Sequence, residues 1–225
     1  MQEDFFPYIK GQEEYLADYF VRNSFKTKVI KKGDELKVPP KENICFIMKG
    51  RLKVYMINDL GDERLMWFLE EGNIIPNLMT DSFAKRIIAD EDCEIYYMNT
   101  NTYYEYVLQN EEHMRVFIDS FYSRYGFLVQ QLLNAESENA RLKVYKFIYQ
   151  LAARYGKPQA NGEIMIENFP SRTDISSITG VHRSNVTRYI TELEKASIVK
   201  KHKLQLSVND LEQLKQEITA LEEQE

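Results

Sequence analysis

Two arginines with short polar residues between them lie in the segment from 171 to 199, SRTDISSITGVHRSNVTRYITELEKASIV. Arg183 and Arg188 flank the polar residues, which are Ser184, Asn185 and Thr187. A planar arginine fork can donate to guanine O6 and N7 together, and short hydroxyl and amide side chains bond phosphate oxygens. These residue types at this spacing indicate contact with double-stranded DNA, and no catalytic constellation accompanies them.

Two short helices must position these side chains. Ser171, followed three residues later by Asp174, is typical of a capping box at a helix start. Gly180 marks the turn after this first helix, because glycine accepts left-handed backbone angles at no steric cost. Apolar residues at helical spacing supply the inward faces: Ile175, Ile178, Val181, Val186, Ile190 and Leu193. The pattern predicts a helix-turn-helix whose second helix enters the major groove.

The charge distribution supports this interpretation. The whole chain carries a net charge of −6, which argues against wholesale coating of nucleic acid. Residues 171–204, however, hold seven Lys and Arg against three Asp and Glu. Lys200 and Lys201 begin the stretch KKHKLQL, which reads as a basic β-hairpin beside the helices. The alternative is a solvated helical hairpin with surface arginines.

Composition excludes several other classes of protein. The 225 residues are 44% hydrophobic and 28% charged, as in ordinary soluble globular proteins. No apolar run approaches the ~20 residues of a membrane span, and the first residues have no signal-peptide pattern. Cys45 and Cys93 are the two cysteines, so we expect a cytoplasmic location and no disulfide framework. No histidine precedes His113, which argues against a metal-dependent enzyme in the N-terminal half.

The N-terminal half and the middle of the chain differ in their patterns. Residues from about 26 to 100 read as short strands separated by Gly33, Gly50, Gly61 and Gly72, which predicts a small β-sandwich or barrel. A heptad stripe follows, and it predicts a long helix that forms a coiled-coil dimer seam or packs on its own domain. The stripe consists of Met114, Ile118, Phe121, Tyr125, Leu128, Leu132 and Ala135.

A break in the apolar stripe at NAESEN (134–139) suggests a domain boundary. Asn139 is suited to cap the next helix, which Gly156 ends. The hinge is expected at Glu138-Asn139-Ala140. The acidic stretch 208–225 reads as a terminal amphipathic helix.

The order of these parts resembles the Crp/Fnr superfamily of bacterial transcription regulators. The most specific stretch is ITGVHRSNVTRYITELEKASIV, and IMKGRLKVY is similar to the family's strand-glycine-strand element. The resemblance implies an α+β fold: a cupin-like β-roll, a long dimerisation helix and a C-terminal winged helix-turn-helix. The expected domains are 1–110 for the β-roll sensor, 111–137 for the dimerisation helix and 138–225 for DNA binding.

Carried over by position, Arg183, Ser184 and Arg188 resemble the family's base-reading trio. Glu occupies the middle position in the cyclic-AMP branch, so Ser184 implies a different operator. Residues at phosphate-contacting positions are Ser171, Arg172, His182 and Asn185. The resemblance implies that the long helix mediates dimerisation, so the heptad stripe becomes the expected dimer seam: Met114, Ile118, Phe121, Tyr125, Leu128 and Leu132.

The sensor departs from the cyclic-nucleotide branch. Pro76-Asn77-Leu78 replaces the Gly-Glu-Leu that holds ribose, and Phe83-Ala84 replaces the Arg-Ser pair that holds phosphate. A buried phosphate without its charge partner is costly, which argues against cyclic AMP. Lys85 or Arg86 substitutes for that arginine only if the loop register slips.

The implied effector pocket is more apolar than in that branch, with Arg124 as a cation at one end. The pocket residues are Val54, Met66, Trp67, Asn77, Arg86, Arg124, Leu128 and Val129. Such a cavity suits an apolar or aromatic ligand bearing a carboxylate or phenolate, or else these side chains fill it completely. Too few cysteines and histidines are present for an iron–sulfur cluster or haem, so no cofactor and no metal is expected.

The function that follows is a homodimeric DNA-binding regulator, not an enzyme, controlled by a small effector. An activator of this kind also contacts RNA polymerase. One alternative is a constitutive DNA binder without an effector. A remoter one is a cupin-type metal-dependent enzyme.

Overall fold

The computed structural model describes residues 13–37, 40, 42–75, 84–137 and 139–224. The chain forms two compact units, one ending at Val129 and the other comprising the described residues from Gln130 onward. The division falls within a single long helix. Each unit has its own core and is described separately.

The N-terminal unit is built on two antiparallel sheets, in the strand orders β1-β7-β2-β5 and β4-β3-β6. Its first helix is α1 (Glu13–Asn23). The strands are β1 (Lys26–Ile30), β2 (Asn43–Lys49), β3 (Arg51–Ile57), β4 (Glu63–Glu70), β5 (Ile74–Ile75), β6 (Ala84–Ala89) and β7 (Cys93–Asn99).

Alternate side chains of the first sheet enter two different cores. Cys45 and Ile47 of β2 pack against Leu52, Val54 and Ile87 of the second sheet. The intervening residues Ile44 and Phe46 face helices on the opposite side, where Phe20 of α1 stacks on Phe46 with ring centroids 4.8 Å apart. The period of two along β2 therefore places this sheet between the second sheet and a helical layer.

Two helices complete this unit and lead out of it. Asn99 caps α2 (Thr100–Leu108), and α3 (Glu111–Ser137) is the longest helix among the described residues. Met114 and Phe117, in the first turns of α3, pack against the helical core, and Phe127 is buried. Further along the same helix, large apolar residues are exposed: Ile118, Phe121, Tyr122, Tyr125 and Leu132.

The C-terminal unit begins with α4 (Ala140–Tyr155), which Asn139 caps through its side chain as predicted. A four-stranded antiparallel sheet has the order β10-β11-β9-β8. The remaining elements are β8 (Lys157–Pro158), β9 (Ile164–Ile166), α5 (Arg172–Thr179), α6 (Arg183–Lys195), β10 (Val199–His202), β11 (Gln205–Val208) and α7 (Leu211–Glu222). The acidic terminal helix α7 packs on α4, where Lys146 Nζ lies 3.0 Å from a carboxylate oxygen of Glu222.

Candidate nucleic-acid interface

The start of α5 is fixed by reciprocal hydrogen bonds between Ser171 and Asp174. The amide of Asp174 donates to Ser171 Oγ at 3.1 Å, and the amide of Ser171 donates to Asp174 Oδ2 at 3.3 Å. Two amides that the helix leaves without partners are thereby satisfied, so the predicted capping box is confirmed. Gly180 ends α5 in the left-handed region at φ 70°, which is where the chain turns toward α6.

The second helix of the motif, α6, is capped by His182. Its Nδ1 accepts from the amide of Ser184 at 3.4 Å and lies 2.8 Å from the hydroxyl of the same serine. The imidazole therefore takes over the role that Ser or Thr commonly plays at an N-cap, with a longer bond. The Ser184 side chain is engaged by this cap while it remains exposed.

The two faces of α6 differ sharply. Val186, Tyr189, Ile190 and Leu193 are buried against the rest of the unit. Arg183, Ser184 and Arg188 are exposed, and Asn185 and Thr187 are half-buried. The hydroxyl of Thr187 donates to the carbonyl of Arg183 at 3.0 Å, so it is engaged within the helix. The five predicted residues of α6 therefore lie within its first two turns, at or near the protein surface.

Arg188 lies along the helix surface. Its Nη2 donates to the hydroxyl of Tyr189 at 2.8 Å, and its guanidinium lies over the Tyr189 ring at 4.8 Å from the centroid. Its Nε is 3.8 Å from Oε1 of Glu192, one turn further on. These contacts hold the side chain in a defined position on the surface of α6.

Arg141, from the first turn of α4, reaches the same cluster. Its Nη2 lies 3.0 Å from Oε2 of Glu192, and its guanidinium lies 5.7 Å from the centre of the Tyr189 ring. Sequence reasoning missed Arg141, Tyr189 and Glu192 as members of this surface. Arg141 and Glu192 are 51 positions apart, so no local pattern could have revealed their pairing.

The hairpin of β10 and β11 flanks the helices on one side. Lys200 is exposed, whereas Lys201 is half-buried with its ammonium 5.8 Å from the centre of the Phe169 ring. Burial lowers the pKa of Lys201 below its ordinary value, and nearby Arg172 lowers it further. Arg172 and Ser171, at the start of α5, are exposed. The structure therefore places basic groups on the hairpin and on both helices of the motif.

The predicted effector residues of the N-terminal unit fall into two groups. Val54 pairs with Trp67 on β4 and with Ile87 on β6, so these three side chains share one face of the sheet. Trp67 packs against the core between the two sheets. Met66 of β4 is the extra residue of a bulge, because Val54 pairs with Trp67 and Tyr55 with Leu65. Its side chain is half-buried.

Arg86 does not join that group. It pairs with Tyr55, one residue out of phase with Val54, and therefore lies on the opposite face of the sheet. There it forms ion pairs with Glu63 and, at 3.4 Å, with Glu35. Lys85 lies instead on the face of Ile87, and burial lowers its pKa below the ordinary lysine value. Arg64 on β4 pairs with Met56 of β3 from the other side, so Arg64 and Lys85 both share the face of Val54 and Trp67.

The remaining effector positions precede β6 in the sequence or lie in α3. Asn77 lies outside the described residues, as does the Pro76-Asn77-Leu78 segment as a whole. Arg124 lies in α3, but its side chain is outside the described part of the chain. Leu128 and Val129, further along α3, are half-buried.

Both cysteines lie in the core between the sheets. Burial raises the pKa of Cys45 to about 12 and that of Cys93 to about 11. Within the described residues, no three His, Cys, Asp or Glu side chains are grouped so that they could hold a metal ion. None of the described helices is both long and apolar enough to cross a membrane.

Comparison with known proteins identifies the C-terminal unit. Residues 142–217 match the family model of the Crp-like helix-turn-helix domain. The C-terminal unit contains a Crp-like helix-turn-helix domain. A helix-turn-helix domain of this type implies DNA binding, and for these residues the predicted resemblance to Crp-type regulators is confirmed. Among curated proteins, none matches the chain by sequence.

Several solved structures share the fold over most of the chain. A CprK variant complexed with OCPA has a TM-score of 0.69 at 19% identity, with 96% of this chain and 99% of that chain covered. FixK2 from Bradyrhizobium japonicum has a TM-score of 0.69 at 15% identity, with 85% and 96% covered. A CooA mutant from Carboxydothermus hydrogenoformans has a TM-score of 0.68 at 22% identity, with 92% of each covered. At such identities the likeness establishes the fold.

The N-terminal sheets, the long helix and the Crp-like domain together confirm the predicted fold class. The motif's two helices are α5 and α6, and β10 with β11 forms the wing. The exposed arginines of α6 therefore occupy the helix that such a domain presents to DNA.

Proposed function

We propose that this chain is a homodimeric transcription regulator that binds a two-fold symmetric operator through α6. The observation that carries the proposal is the exposure of Arg183, Ser184 and Arg188 on a capped helix of a Crp-like domain. Arg183 and Arg188 read base edges by bidentate donation. Ser171, Arg172, His182, Asn185, Thr187, Lys200 and Lys201 contact phosphates and set the register of the helix in the groove.

The dimer forms along α3, which acts as the dimerisation helix over 111–137. Four residues of the predicted seam are more than two-fifths exposed in the single chain: Ile118 42%, Phe121 57%, Tyr125 60% and Leu132 73%. Large apolar side chains repeating along one helix favour burial against a second helix. Met114 contributes to the helical core of its own unit, so it joins the seam only at its margin. A dimer places two α6 helices on half-sites about one helical turn apart.

An effector bound in the N-terminal unit modulates DNA binding. The face formed by Val54, Trp67 and Ile87 is apolar, and Lys85 on the same face supplies a positive charge. An aromatic or apolar ligand with a carboxylate or phenolate fits that combination better than a cyclic nucleotide does. A CprK variant complexed with OCPA shares this fold, which supports a small non-nucleotide effector. The regulator acts in the cytoplasm, and as an activator it also contacts RNA polymerase.

Selection from randomised duplex DNA tests the proposal. Purified protein is mixed with the library without an effector, and the retained DNA is sequenced. Enrichment of a two-fold symmetric motif is the expected result, and repeating the selection with cell metabolites reports any effector. A protein that selects no motif in either condition contradicts the proposal. Equal selection with and without metabolites supports the effector-independent form of the regulator.

A further inference from the structure

The carboxylate of Glu192 is shared between two arginines from different helices. Its Oε2 lies 3.0 Å from Nη2 of Arg141 in α4, an ion pair without hydrogen-bond geometry, and its Oε1 lies 3.8 Å from Nε of Arg188 in α6. The side chains are partly exposed, at 43% for Arg141, 59% for Arg188 and 32% for Glu192. Glu192 is therefore closer to Arg141 than to Arg188, the proposed base-reading arginine.

The ring of Tyr189 joins the same group. Both guanidinium groups lie within 6 Å of its centre, Arg188 at 4.8 Å and Arg141 at 5.7 Å. Tyr145, one turn after Arg141 in α4, borders the cluster: burial raises its pKa to about 12, Arg141 opposes this increase and Glu192 adds to it. The cluster is therefore a connected set of charges around two tyrosines, and it joins the first turn of α4 to the recognition helix.

We propose that Glu192 and Arg141 are positioning residues that determine how readily Arg188 leaves the protein surface for DNA. The proposal rests on the proposed function, since it requires Arg188 to read the operator. A carboxylate beside an arginine competes with DNA acceptors for the same donors. Arg141 holds that carboxylate in the closer pair and so limits its attraction for Arg188. Arg188 is then retained by a neutral hydroxyl and a long ion pair, both of which a guanine edge can replace.

The two residues make opposite predictions for DNA binding. In Glu192→Gln the competing charge is lost, so Arg188 binds any DNA more readily and discriminates less. In Arg141→Gln the carboxylate of Glu192 is released toward Arg188, so operator affinity falls. Because Arg141 acts through Glu192, its substitution has no further effect once Glu192 is replaced. A double-mutant cycle distinguishes this from direct contact between Arg141 and a phosphate.

The experiment measures binding of four proteins to two duplexes by fluorescence anisotropy over a range of salt concentrations. The proteins are wild type, Arg141→Gln, Glu192→Gln and the double variant. The duplexes are the motif selected by the wild type and a scrambled duplex of the same composition. Arg141→Lys tests rescue by a retained charge, and Arg22→Gln in α1 is the charge-matched control. Thermal unfolding of each variant establishes that it is folded.

We expect Arg141→Gln to weaken operator binding about tenfold, as for loss of one good arginine–base contact, and Arg141→Lys to recover part of it. Glu192→Gln should strengthen binding to the scrambled duplex. The slope of log affinity against log salt concentration should become steeper by about one. The double variant should match Glu192→Gln alone. An Arg141→Gln effect that persists undiminished without Glu192 overturns the proposal in favour of a direct phosphate contact. Failure of the wild type to prefer its motif contradicts the proposed function itself, which the wild-type measurements report separately.

Discussion

Nη2 of Arg188 donates a 2.8 Å hydrogen bond to the hydroxyl of Tyr189, the next residue in α6. A hydrogen bond of this kind contributes about 1 kcal/mol net, and somewhat more when one partner is charged. A bidentate contact with guanine or a contact with a phosphate is stronger than this single bond. Arg188 therefore has a defined position in the free protein, and contacts with DNA can replace its hydrogen bond to Tyr189.

The capping box at the start of α5 should contribute measurably to the free energy of unfolding. Replacing Ser171 with Ala removes the acceptor of the 3.1 Å bond from the Asp174 amide. We expect the free energy of unfolding to fall by about 1 kcal/mol, as at other N-caps. Urea denaturation of Ser171→Ala measures it, and Thr173→Ala, an exposed residue of the same turn, is the control. Equal stability of the two variants would mean that the cap contributes nothing.

The exposed apolar face of α3 should control assembly. Phe121 is 57% exposed in the single chain, and a Glu at this position introduces a charge that a dimer seam would bury. We expect Phe121→Glu to be monomeric in sedimentation velocity at concentrations where the wild type is dimeric. Leu60→Glu is the matched control, since Leu60 is 87% exposed in the turn between β3 and β4. A dimeric Phe121→Glu variant would exclude this face as the seam.

A buried ion cluster in the second sheet should be essential to the N-terminal unit. Asp90, which is 7% exposed, pairs with Arg51 and, at 2.8 Å, with Lys53. Asp90→Asn removes the negative charge that faces buried Arg51 and half-buried Lys53, so we expect a loss of about 3 kcal/mol in unfolding free energy. Asp18→Asn provides the control, because Asp18 forms a 3.9 Å pair with Arg22 on the surface. A loss in Asp90→Asn no greater than in Asp18→Asn would contradict the importance of the cluster.

The two cysteines should be unreactive in the folded protein. Both are buried, and their pKa values are raised from 9.0 to about 12 for Cys45 and about 11 for Cys93. Since the thiolate is the reactive species, a thiol reagent at pH 8 should label neither cysteine until the chain unfolds. Rapid labelling of the folded protein would instead support a thiol switch.

The same pKa shifts predict how stability depends on alkaline pH. Unfolded thiols ionise near 9.0, whereas the folded ones keep their protons to about 12 and 11. The unfolded state therefore loses protons first, and the contribution of the thiols to stability falls as the pH rises above 9.0. Urea denaturation at pH 8 and 10 should show a smaller decrease for Cys45→Ala than for the wild type. An identical decrease would contradict the raised pKa of Cys45.

Local signals in the sequence predicted much of the DNA-binding surface. Ser171 and Asp174 form their capping box, Asn139 caps α4, and Gly180 has the left-handed angle that its place in the turn requires. Each of these features depends on residues within a few positions of one another. The helical spacing of the apolar residues likewise indicated which side chains of α5 and α6 are buried.

Features that depend on strand register or on distant residues were not accessible in this way. Arg86 was expected in the pocket, but its pairing with Tyr55 places it on the opposite face, where Glu63 and Glu35 bind it. A shift of one residue along a strand reverses the face of every side chain, and the sequence alone does not fix that shift. The pairing of Arg141 with Glu192 arises from the packing of α4 on α6, which only the folded unit shows.

The most direct test of the account is the affinity of Arg183→Ala for the duplex selected by the wild type, compared with its affinity for a scrambled duplex. Arg183 is exposed at the first position of α6, and its loss removes one base-reading fork. We predict a loss of about 2 kcal/mol on the selected duplex and a much smaller one on the scrambled duplex. Equal affinity of Arg183→Ala and the wild type for the selected duplex would contradict sequence reading by α6.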